Sequence, residues 1–343
     1  MNVLFLGGTG FVGSDAVRHL TALRHDVTVA HRGQTEPDLP PAVGHVHHPD
    51  LAFGRHHQFL SGVVDELRGL EPDVVVHMIP ESDVDAEIVM RTFRGIARRV
   101  VGISSMDVYR AYGRMHRREP GPPEPVPLTE EAPLREQFYP DGPGVEKILA
   151  ERVLLGDAVL PGTVLRWPMV YGPRDPLHRL FTYLRQMDAG RPAILLEESH
   201  AGRRASRGYS ENVALSVVLA VTDDRAAGRV YNVGEADALS DMEWVQAIAQ
   251  AAGWEGRVVA VPQDDAPPHL LQKWDTRQHW VVDTTRLRRE LGYRELVPRL
   301  EALKQTVEWE RANPPSPERI PSDEEMASRS AAEDAVLEAI ADG

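Results

Sequence analysis

Gly7, Gly10 and Gly13 of "GGTGFVG" stand three residues apart where a short apolar run gives way to a helical pattern. That placement suits phosphate chemistry. Glycine permits a tight turn and close approach of the backbone, and the N-terminus of the following helix offers unpaired N–H groups and the positive end of a dipole to a pyrophosphate. Thr9, Gly10, Phe11, Val12 and Gly13 are then the expected contacts of a dinucleotide. A glycine-rich turn that binds nothing is the plainer reading, and the position directly after a first strand argues against it. Further along, Lys147 sits near the start of an amphipathic pattern in "FYPDGPGVEKILAERVLL", where Val145, Ile148, Leu149 and Val153 repeat at helical spacing. On its own such a lysine is either a solvated charge or half of a catalytic pair.

The elements that must position these residues alternate. "VLFLG" (Val3–Gly7) predicts a buried strand, followed by a helix over Val12–Arg24 and strands at Asp26–His31 and His45–His48. A helix over Gln58–Leu70 leads to a strand at Asp73–Ile79, and a helix over Asp83–Arg98 leads to "RVVGISS" (Arg99–Ser105). The Lys147 helix then leads to "GTVLRW" (Gly162–Trp167). β-branched, nearly continuous apolar strands separated by helices predict an α/β fold with a doubly wound parallel sheet covered on both faces. The expected organisation is a dinucleotide-binding unit over residues 1–167 and a smaller α/β substrate lobe over residues 168–312, interleaved with the sheet. A linker and helical tail follow over residues 313–343. The tail, with Met326, Val336, Leu337 and Ile340, reads as a surface or subunit-packing element.

Composition narrows the function classes. The 343 residues can bury a sizeable core, and 42% hydrophobic with 26% charged residues is ordinary for a globular chain. No apolar run approaches the ~18–20 residues of a membrane span, so no membrane partner is expected. "MNVLFLGGTG" reads as a first strand and not as a signal peptide. The chain has no cysteine, which excludes disulfides and thiolate chemistry, and a cytoplasmic location is expected. A net charge of −14, with Lys147, Lys273 and Lys304 the only lysines, argues against nucleic acid.

With "GGTGFVG", "SSMDVY", the Lys147 helix and "LRWPMVYGPRD", the chain resembles the extended or atypical branch of the short-chain dehydrogenase/reductase superfamily, the epimerase/dehydratase-like proteins. The resemblance spans about Met1 to Tyr293. It implies a Rossmann fold, an NAD(P) cofactor and a homodimer. NAD-preferring relatives carry an acidic residue at the end of the second strand. Here "AHRG" places His31 and Arg32 there; no carboxylate repels a 2′-phosphate and Arg32 can pair with one. NADP is therefore expected ahead of NAD. The resemblance adds Asp50 and Leu51 at the adenine edge, Met78 after the fourth strand, and Pro168 and Val170 beside the nicotinamide ring.

For catalysis the resemblance implies a serine at the end of the fifth strand, matched by Ser105 with Ser104 beside it, and a lysine that binds the nicotinamide ribose, matched by Lys147. The family's tyrosine lies four residues before the lysine, where this chain has Pro143. Three routes remain open. Tyr139 folds back to the nicotinamide; Tyr109 or Tyr112 reaches in from the other side; or no side chain donates a proton and the chemistry is not ordinary carbonyl–alcohol exchange, with Asp141 or Glu146 as acid or base. Tyr109, Arg174, Arg204 and Arg207 are the candidate substrate contacts, with Arg203 beside them, the arginines as clamps for a diphosphate.

No metal is expected. The histidines of "HVHHPD" and "GRHHQF" are adjacent pairs, which point in different directions, whereas zinc needs convergent ligands. The leading expectation is an NAD(P)-dependent reductase, epimerase or dehydratase acting on a small hydroxylated or carbonyl substrate, such as a sugar nucleotide or secondary metabolite. Two others compete with it. One is a non-redox lyase, isomerase or cofactor-binding protein, motivated by Pro143. The other is an RNA-binding protein of the kind found among chloroplast relatives, which the negative charge opposes.

Overall fold

The computed structural model describes residues 1–35, 38–51, 58–138 and 146–342. Along the first half run β1 (Asn2–Leu6), α1 (Gly13–Ala22), β2 (Asp26–His31), β3 (Gly44–His47), α2 (Val64–Gly69), β4 (Val74–His77), α3 (Asp83–Phe93) and β5 (Arg99–Ser105). Then come α4 (Arg110–Met115), α5 (Lys147–Gly156), β6 (Gly162–Trp167) and β7 (Met169–Tyr171). The second half holds α6 (Phe181–Asp188), β8 (Ala193–Glu197), α7 (Glu198–Ala201), β9 (Arg207–Tyr209), α8 (Ser210–Thr222) and β10 (Val230–Asn232). It ends with α9 (Asp241–Ala252), β11 (Arg257–Val261), α10 (Thr285–Leu291), α11 (Arg299–Ala312) and α12 (Asp323–Asp342).

Seven parallel strands form one sheet in the order β10-β6-β5-β4-β1-β2-β3. The alternation of side chains along each strand explains why both faces are apolar. Val3 and Phe5 of β1 pack with α1 and α8, while Leu4 and Leu6 pack with α2, α3 and α5. Strand order reverses between β1 and β4. In open α/β sheets the crevice at the carboxyl ends of the strands beside such a switch point is where ligands sit.

The helices are shorter than their apolar patterns suggest. α3 stops at Phe93, before Gly95 with its φ of +77°, instead of running to Arg98. α2 is confined to six residues. A second core, built by α6, α9, α11 and β8 around Trp244, Ile248 and Leu303, forms the smaller lobe. α12 packs on that lobe of its own chain. Val336 and Leu337 meet Ala193, Leu195 and Val261, and Arg191 pairs with Asp334 at 2.6 Å. No helix among the described residues is long and apolar enough to cross a membrane.

Candidate active site

One cleft of about 960 Å³ runs along the carboxyl ends of the strands. The residue that ends or follows each of five strands lines it: Gly7 after β1, His31 of β2, Met78 after β4, Ser105 of β5 and Trp167 of β6. Parallel strands in register therefore place residues from five separate parts of the sequence along one rim.

The glycine turn forms the floor. Gly7 and Gly8 have φ of +85° and +105°, values that a side chain would strain. At Gly13 a Cβ would lie 2.5 Å from the Gly8 Cα, so this glycine allows the helix to close on the strand turn. Gly10 differs: a Cβ there would meet nothing within 4 Å, because the position faces the open cleft. α1 starts with no side-chain cap, and the amides of Phe11, Val12 and Gly13 find no acceptor among the described residues. Unpaired donors at the positive end of a helix, over open volume, fit a bound diphosphate.

Ser105 caps the turn after β5, its Oγ accepting the Asp107 N–H at 3.2 Å. That bond leaves the hydroxyl proton available to a substrate oxygen. Lys147 begins α5 and reaches the same part of the cleft, donating to the Ile103 carbonyl at 3.3 Å. Burial lowers its pKa, opposed by Glu81, Asp107, Asp85 and Glu151, so the ammonium lies among carboxylates without a salt bridge to any among the described residues. Glu146 is the helix cap, its side chain accepting the Ile148 N–H at 3.2 Å and pairing with Arg135 at 3.2 Å. It is thus engaged as a structural group.

A buried polar chain fixes the Lys147 helix behind the cleft. Ser104 Oγ donates to Glu151 at 2.5 Å, and Arg166 of β6 grips Glu151 through Nε at 3.0 Å and Nη2 at 2.7 Å. Arg166 also donates to the Tyr109 hydroxyl at 2.9 Å, which donates in turn to Asn232 at 2.7 Å. This network absorbs Tyr109. Its ring is fully buried, its hydroxyl faces Arg166 and Asn232, and burial pushes its pKa up to about 12. It does not line the cleft but lies behind it.

The candidate arginines are likewise taken elsewhere. Arg174 bonds Ser14 and Asp15 at 2.7 Å each, tying α1 to the chain after β7. Arg204 reaches Glu243 on the surface at 3.5 Å. Arg203 pairs with Asp241 at 3.0 Å. Arg207 is buried in the second lobe, paired with Asp241 and 4.6 Å above the Trp244 ring. None of the four lines the cleft.

Gly7, Thr9, Gly10, Phe11, Val12, Gly13, His31, Arg32, Leu51, Met78, Ser105, Lys147, Pro168 and Val170 do line it. Tyr139, with Asp141 and Pro143, lies outside the described residues, as does the Asp50 side chain. Sequence reasoning missed Glu81, Trp167, Leu177 and Arg179. Glu81 follows β4 much as Ser105 ends β5, a signal available in the strand pattern. Arg179, held by Asp175 at 2.5 Å, comes from a loop with no readable spacing.

With this geometry in place, comparison with known proteins identifies the class. The chain belongs to the NAD dependent epimerase/dehydratase family, whose model matches residues 3–234. It is 28% identical to 2'-dehydrokanamycin reductase of Streptomyces kanamyceticus, across 79% of this chain and 72% of that one. It is also 28% identical to dTDP-glucose 4,6-dehydratase of Streptomyces griseus, across 90% and 93%. The fold matches UDP-glucose 4-epimerase of Thermotoga maritima with UDP-glucose at a TM-score of 0.67 and 18% identity, over 91% of this chain and 99% of that one. Thermus thermophilus UDP-glucose 4-epimerase in complex with NAD matches at 0.64 and 22%, over 91% and 100%.

Proposed function

We propose that the chain is an NADP-dependent oxidoreductase that acts at a carbinol or carbonyl carbon of a small hydroxylated substrate. The observation that carries this reading is the single cleft joining the open glycine turn to Ser105 and Lys147. The dinucleotide, when bound, supplies hydride exchange at carbon. The chain's own residues would do the rest. Amides at Phe11 and Val12 bind the diphosphate, Lys147 holds ribose hydroxyls, and Ser105 donates a hydrogen bond to the substrate oxygen.

NADP in preference to NAD rests on the β2 end, where His31 and Arg32 line the cleft and no carboxylate lines that end among the described residues. Substrate class follows from the arginines. Arg174, Arg204 and Arg207 are paired with carboxylates away from the cleft, which leaves Arg179 on the second-lobe side of the lining. This favours a hydroxylated substrate that needs no strong diphosphate clamp, the kind of compound that the relative named 2'-dehydrokanamycin reductase implies.

Fluorescence titration with NADPH and NADH, followed by absorbance at 340 nm across keto-sugars, aminoglycoside ketones and sugar nucleotides, tests the reading. NADPH is expected to bind the tighter and to be consumed with a keto-sugar. No binding of either nucleotide at millimolar concentration defeats the proposal. A second reading, a scaffold without net redox chemistry, is favoured by Pro143 at the family's tyrosine position. Tight binding with unchanged absorbance over the whole panel selects it.

A further inference from the structure

At the outer edge of the sheet three imidazoles meet. His31 ends β2, and His45 and His47 lie on β3, where His31 pairs in register with His47. Residues 45 and 47 are two apart on a strand, so their side chains leave the same face, and the neighbouring strand adds His31 beside them. The adjacent pairs considered from sequence are not the ones that converge; the alternate pair is.

The His31 Nε2 atom lies 3.1 Å from His45 Nδ1 and 2.9 Å from His47 Nε2. All three donor atoms lie within 4.8 Å of one another. As hydrogen bonds these contacts conflict. An imidazole nitrogen has one in-plane direction, filled by either a proton or a lone pair, so His31 Nε2 satisfies one neighbour well and not two. An ion at the centre of the three lone pairs removes the conflict.

We propose that His31, His45 and His47 bind one divalent transition-metal ion of the zinc class. Imidazole donors select zinc, nickel or copper over magnesium or calcium, which take oxygen ligands. Zinc–nitrogen bonds of about 2.0–2.1 Å place tetrahedral ligand atoms roughly 3.3–3.4 Å apart, close to the two short separations here. His31 is 4% exposed, whereas His45 and His47 are exposed, and the third separation, within 4.8 Å, closes by about 1.4 Å at most to reach the tetrahedral value.

Binding through His31 Nε2 puts the ring proton on Nδ1, which in the present arrangement accepts the Gly33 N–H at a long 3.3 Å. The Gly33 amide therefore turns away when the metal binds. Gly33, at φ +76°, carries no side chain to resist that. His31 and Arg32 also line the cleft, so the ion sits at the rim of the cofactor site, yet its binding does not depend on the function proposed above.

The test uses the untagged full-length chain, stripped with chelator and titrated with cobalt(II). One equivalent per chain is expected at micromolar cobalt, with the visible absorption of a nitrogen-ligated low-symmetry site, displaced by zinc. His47→Gln should weaken cobalt binding by about tenfold or more, and His45→Gln,His47→Gln should abolish the absorption. Circular dichroism and melting confirm that the variants remain folded. Absence of saturable cobalt binding, or binding unchanged in the double variant, overturns the proposal. So does a double variant that loses only its preference for NADPH over NADH while the parent binds no cobalt, because the imidazoles would then serve a phosphate.

Discussion

The Lys147 end of the cleft and the interior of the second lobe use cations in opposite ways. In the cleft, Lys147 donates to a backbone carbonyl, and the glycine turn supplies donors that no protein acceptor takes among the described residues. In the lobe, Arg207 is buried against Asp241 and Trp244; behind the cleft, Arg166 is buried against Glu151 and Tyr109. A buried charge without a partner is costly, so an arginine enclosed by the fold needs its carboxylate beside it. A cation left available at a cleft is therefore the exception that function requires. An arginine at a family-like position says little until its carboxylate has been located.

Substitutions on either side of this contrast should separate activity from stability. Lys147→Met should lower kcat by about 10²- to 10⁴-fold, the range of a lost acid–base or charge-stabilising group, with a melting temperature near that of the parent. A turnover within twofold of the parent would show that the lysine is a bystander. Arg166→Met should do the reverse. Stranding Glu151 in the interior costs about 3–5 kcal/mol, read by chemical denaturation, while Arg166→Met with Glu151→Met together should recover most of it.

A pH scan probes the interior again. His77 ends β4 fully buried, with neither ring nitrogen hydrogen-bonded among the described residues, and burial holds its pKa down to about 4. The unfolded chain takes up this proton near the ordinary value of 6.5, whereas the folded chain does not until about 4. Stability from this group is thus complete above pH 6.5 and falls as pH drops towards 4. The loss is about 3 kcal/mol at most. Melting curves across that window should flatten in His77→Phe; an equal fall in the variant would assign the effect to other groups.

The smallest effect belongs to the cleft rim. Arg32→Gln should reduce the preference for NADPH over NADH by about tenfold, the loss of one charge-assisted phosphate contact, without moving the melting temperature. Equal weakening of both nucleotides would show that Arg32 reads something other than the 2′-phosphate.

Much of the fold was legible because local rules and global packing agree. The β-branched strands, the intervening helical periods and the glycine series at the end of β1 each point to the same parallel sheet. The cleft lining was legible in part: the family resemblance pointed to Met78, Ser105 and Pro168, and all three line the cleft because strand ends become its walls once the sheet is parallel. Tyr109 and Arg207 could not be placed, because nothing in "VYRAYG" or "ASRGYS" shows that Asn232 and Asp241, far away in sequence, wait for them. The convergence of His45 and His47 was within reach of the two-residue strand period, but His31 joins them only through the register of β2 with β3.

By itself the sequence determined that a helix would start beside a glycine turn after the first strand, since spacing, propensity and backbone freedom are properties of neighbouring residues. Which charges remain open to a ligand was decided by the tertiary structure alone. Salt bridges and imidazole contacts form between side chains brought together by packing, and desolvation makes their pairing a matter of where each group ends up and not of what precedes it in the chain.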